Sequence, residues 1–200
     1  MRLAKLISII GHPMFMPLYA IIILFRFKPY VSQSINENLQ NLIYIIIAAF
    51  TIVFPLLTAL LLKKLKVISS LYMKNAEERK WPFTLTVLWY YLCFEILLKL
   101  QLPKSIYLMM IGAITVVSVA LLVTLKWKIS VHMLGIGGIL GALIGLSYRF
   151  NLDWLSIVLA TVLMSGLVGF ARLETKSHTP TQVYVGFIVG FCIEFIAVLL

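Results

Sequence analysis

Three polar islands hold most of the side chains able to do chemistry: Lys74 to Pro82, Ser130 to His132, and Arg172 to Gln182. Each directly precedes an apolar run. If those runs are helices, their first backbone N–H groups and the positive ends of their dipoles face the islands, where an anion is stabilised. Arg79, Arg172 and Lys74 add charged donors that suit phosphate oxygens, and Ser130 adds a hydroxyl. His132 and His178 supply a nucleophile and an acid. Phosphoryl transfer is the chemistry this set of residues fits.

The islands resemble the motifs of the type 2 phosphatidic acid phosphatases, membrane enzymes that remove phosphate from lipid phosphates and polyprenyl diphosphates. The third motif of that family reads Ser-Arg, five residues, His, three residues, Asp. Here Ala171 and Arg172 are followed after five residues by His178, and after three more by Gln182. The second motif, Pro-Ser-Gly-His, meets Ile129, Ser130, Val131 and His132, which keep only its Ser and His. The first, Lys, six residues, Arg-Pro, is loosest: Lys74 stands five positions before Arg79, and Pro82 three after it. The resemblance covers about residues 74–190.

It implies His178 as the nucleophile that forms a phosphohistidine and His132 as the acid that protonates the leaving alkoxide. Arg172, Arg79, Ser130 and Lys74 would hold the phosphoryl oxygens. It implies no metal and no cofactor, because cationic side chains can do the work that ions do in other phosphatases. Gln182 departs from the pattern, standing where an aspartate would orient the nucleophilic histidine. It can accept the imidazole N–H bond but brings no charge; in a serine protease triad that loss costs about 10⁴ in rate. Glu174, four residues before His178, is the substitute carboxylate if that loop is helical.

These residues need a scaffold, and composition says which. The 200 residues are 62% hydrophobic and 12% charged, with a mean hydropathy of +1.05. Bilayer is the natural solvent for such a chain. Apolar runs at roughly residues 5–28, 41–63, 82–99, 105–126, 131–149, 153–171 and 181–200 give seven crossings in one integral membrane domain spanning 1–200. The short third run leaves six crossings as the alternative, if it forms a hairpin with the fourth. The expected fold is an all-α polytopic bundle, multi-pass in the cell (inner) membrane, with the first run a retained helix rather than a cleaved signal.

With seven crossings all three islands fall on the face where the chain begins. That face carries twelve Lys and Arg against five on the other, which makes it cytoplasmic by the positive-inside rule, whereas the family resemblance places the motifs externally. The net charge of +10 sits at segment ends, which suits anionic membrane lipids and gives no sign of nucleic-acid binding. Cys93 and Cys192 lie in apolar runs with no ligand-spaced neighbours.

Gly137, Gly141 and Gly145 after His132, and Gly186 and Gly190 after His178, form small-residue stripes that predict close helix packing and would draw the two histidines together. Glu95 and Glu194 are ionisable residues within apolar runs, fit for a proton or ion path or for a helix contact. His12, next to Pro13, reads as a histidine at a kink. Three functions follow in order: a lipid phosphate or polyprenyl phosphate phosphatase; a non-catalytic relative that binds anionic headgroups or scaffolds a partner; and a small transporter using the two glutamates.

Overall fold

A computed structural model describes residues 2–27, 35–71, 73 and 76–200, and no strand occurs among them. The first span is α1 (Arg2–Ile10), a 3₁₀ turn (Pro13–Phe15) and α2 (Met16–Phe27). The second is α3 (Glu37–Ala48), a π turn (Ala49–Val53) and α4 (Phe54–Lys64). Single helices follow: α5 (Ala76–Leu98), α6 (Lys104–Thr124), α7 (Val131–Phe150), α8 (Leu155–Glu174) and α9 (Pro180–Leu199). All seven units are long and apolar enough to cross a membrane, so the chain is a multi-pass all-α membrane protein.

The third span differs most from its sequence reading. Its helix begins at Ala76, six residues before the expected start, so Pro82 is interior and Arg79 is helical rather than in a loop. Glu77 and Glu78 in the first turn complement the helix dipole. Glu78 also accepts a hydrogen bond from the Ser69 N–H (2.9 Å), tying the helix start to the preceding segment. At 23 residues α5 is a full crossing, which removes the six-crossing alternative.

α7 is the central helix: 72% of its most apolar window is buried, against 39% or less in every other span. It lies alongside α9 with glycines meeting backbone. A Cβ on Gly137 would strike the carbonyl of Phe187, and one on Gly141 that of Phe191. In return, Gly186 faces the carbonyl of Ser130, and Gly190 that of Leu134. In lipid there is no hydrophobic force between helices, so this contact rests on dispersion that only side chains as small as hydrogen permit. The expected stripes are therefore packing faces, and they set α7 and α9 parallel with their starts at the same end of the bundle.

Candidate functional site

α9 begins with a reciprocal cap. The Gln182 N–H donates to Thr179 Oγ1 (3.4 Å), and the Thr179 N–H donates to Gln182 Oε1 (3.2 Å). A backbone N–H can only donate, so the atom it meets must be the amide oxygen, which fixes the orientation of Gln182. The same oxygen lies 2.9 Å from His178 Nδ1. Nδ1 therefore carries the proton, and Nε2 keeps its lone pair. Gln182 holds the position that the aspartate occupies in the resembling motif; Glu174 is exposed at the end of α8 and makes no bond to His178.

His178 lines a cavity of about 1070 Å³ that also meets Arg79, Arg172, His132 and His12. Burial holds its imidazole far below the ordinary value, at about 4; the bond to Gln182 works against this, and Arg172, Lys128 and Arg79 push it further down. Its ring is thus neutral near pH 7. Burial, then Arg79 and Arg172, also lower the Lys128 ammonium. Three cations share one another's fields here, and among the described residues no carboxylate pairs with any of them. Arg172 Nε is buried without a hydrogen-bond partner, while Arg79 Nε donates to the Met73 carbonyl (3.0 Å). Clustered cations at a partly buried site call for an anion.

His132 is positioned by the break in the first span. Pro13 has no N–H, so the His12 N–H turns to the Ile9 carbonyl (3.2 Å) and Gly11 takes that of Ile7 (2.8 Å). The carbonyl of Ser8 is left outside the helical ladder, and it accepts from His132 Nε2 (3.1 Å). A carbonyl cannot donate, so the proton sits on Nε2, and His132 Nδ1 is buried without a partner. The His12 ring stands edge-on to that of His132, with centroids 5.2 Å apart. Its Nδ1 accepts from the Met14 N–H (3.3 Å), which leaves the proton on Nε2.

Of the residues singled out in the sequence, His178, His132, Arg172 and Arg79 line one cavity at one end of the bundle. Gln182 stands behind His178. Ser130 does not reach the cavity: it is fully buried where α7 meets α9, its N–H bonded to the Gln182 carbonyl (3.4 Å) and its hydroxyl without a partner. Lys74 lies outside the described residues. Sequence reasoning missed Lys128, although it stands two residues before Ser130, and also Thr175 and Ser177, whose hydroxyls are 2.9 Å apart on the cavity wall. It undervalued His12, whose one signal was Pro13 beside it.

Fold and site together define a multi-pass helical membrane protein with a large, mainly apolar cavity lined at one end by cations and histidines. No known protein family, curated protein or solved structure matches the chain.

Proposed function

We propose that this chain is a phosphatase of lipid phosphates or polyprenyl phosphates in the inner cell membrane, resembling the type 2 phosphatidic acid phosphatases. One observation carries the reading: a neutral imidazole with its Nε2 lone pair free sits among three cations unpaired with carboxylates among the described residues, at the polar end of an apolar cavity large enough for a chain. Arg79 and Arg172 hold the phosphoryl oxygens, with Lys128 adding positive field. His178 Nε2 attacks phosphorus, and the bond to the lipid oxygen breaks. His132 Nδ1, bare in the resting site, takes the proton of the phosphomonoester monoanion and passes it to the leaving alkoxide. Water then cleaves the phosphorus–nitrogen bond, giving inorganic phosphate and free His178.

Release of phosphate from a panel of lipid phosphates by the purified protein, with His178→Ala beside it, tests this. Turnover by wild type alone supports the reading; equal release by both contradicts it. Gln182 favours a second reading, a non-catalytic binder of anionic headgroups, because a neutral partner stabilises an imidazolium less than a carboxylate does. In that case no lipid phosphate is turned over. Arg172→Ala would still weaken binding, by about 1.5–3 kcal/mol for a lost charge-assisted bond.

A further inference from the structure

The far end of the cavity carries a second polar feature that the proposed chemistry does not use. Glu194 on α9 is 7% exposed and lines the cavity. Its carboxyl occupies a notch made by two glycines. A Cβ on Gly112 of α6 would collide with it, and one on Gly138 of α7 would lie 3.1 Å from its Cγ. Oε2 is buried with no hydrogen-bond partner. Around it the wall is apolar, with Met109, Ala113 and Ile139. Gly138 lies six residues beyond His132, about 9 Å along α7 at 1.5 Å per residue, so Glu194 stands away from the cationic end rather than within it.

We propose that Glu194 is a second ligand subsite, which takes a hydrogen-bonding group such as a hydroxyl, amide or ester carried within the hydrophobic part of the lipid phosphate. The inference rests on the lipid-phosphate reading and narrows it. A pure hydrocarbon chain would seal the carboxyl into the cavity with nothing to bond, and a site built around a hydrogen bond rejects the analogue that lacks the group. A metal ion fits poorly, because hard cations need several oxygen ligands and no second carboxylate lines the cavity among the described residues. Saturated alkyl and polyprenyl phosphates are therefore the disfavoured ligands.

Binding of hexadecyl phosphate to purified protein, compared with hexadecyl phosphates bearing one hydroxyl at successive chain positions, tests the subsite. Wild type should bind one hydroxylated isomer about tenfold or more tighter than the plain chain. Glu194→Leu should bind all of them alike, and Glu194→Gln should keep the preference. Equal binding across the series by wild type would overturn the subsite, and that comparison needs no variant to fold. A preference surviving in Glu194→Leu would overturn it too. If no member of the series binds, it is the lipid-phosphate reading that fails.

Discussion

Gln182 is where the chemistry of the site turns. It fixes the His178 tautomer as an aspartate would, through one oxygen shared with the Thr179 N–H, but without charge. Gln182→Asp should raise turnover by about tenfold or more, because a carboxylate stabilises the imidazolium as well as orienting it. The pH dependence has a definite sign. With its pKa lowered to about 4, His178 in the free enzyme keeps its lone pair down to that pH, so the acid limb of kcat/KM should fall near pH 4 rather than 6.5. The carboxylate of Gln182→Asp raises that pKa and moves the limb upward; an unmoved limb would exclude His178 as the titrating base. The spacing of His178 and Gln182 was legible in the sequence because the start of α9 holds both, while Arg172 comes from the last turn of α8 just before it. The failure at Ser130 was not, since only the tertiary contact with α9 decides that this hydroxyl faces a helix instead of the cavity.

The helices place these residues through two local devices, the glycine contact of α7 with α9 and the break at Pro13. The first was readable from four-residue spacing. The second was half readable: Pro13 announced a kink, but nothing local said that the freed Ser8 carbonyl would meet His132, more than a hundred residues away. The start of α5 was misplaced because Pro82 reads as a boundary, whereas here it is tolerated inside the helix. Gly190→Ala should cost about 1–3 kcal/mol, since its methyl must displace the backbone at Leu134. Gly166→Ala, with nothing within 4 Å of the new methyl, should be neutral or slightly stabilising. Thermal unfolding in detergent measures both, and equal midpoints would refute the backbone contact.

Seven crossings put the connections at residues 65–71, 125–130 and 175–179 on one side of the membrane and those at 99–103 and 151–154 on the other. With Lys5, Arg79 and Arg172 lining the cavity, the twelve cations of the first side fall to nine, still more than the five opposite. In a background lacking Cys93 and Cys192, an impermeant thiol reagent should label Lys66→Cys, Lys126→Cys and Lys176→Cys alike, and Gln101→Cys and Asn151→Cys oppositely. Mixed labelling within either group would refute the topology. Composition alone revealed the membrane bundle, because a chain this apolar has no other solvent. The cavity was invisible to it, since a void is defined by how helices lean apart and not by any one segment.

The proposed chemistry requires His178 Nε2 as the nucleophile. Acid-labile, alkali-stable phosphate trapped on the protein during turnover of a labelled lipid phosphate tests it most directly, with mass spectrometry locating the modified residue. Phosphate should be found on His178 at Nε2 in wild type and be absent in His178→Ala. Phosphate release with no phosphoprotein, or phosphate on any other residue, would contradict it.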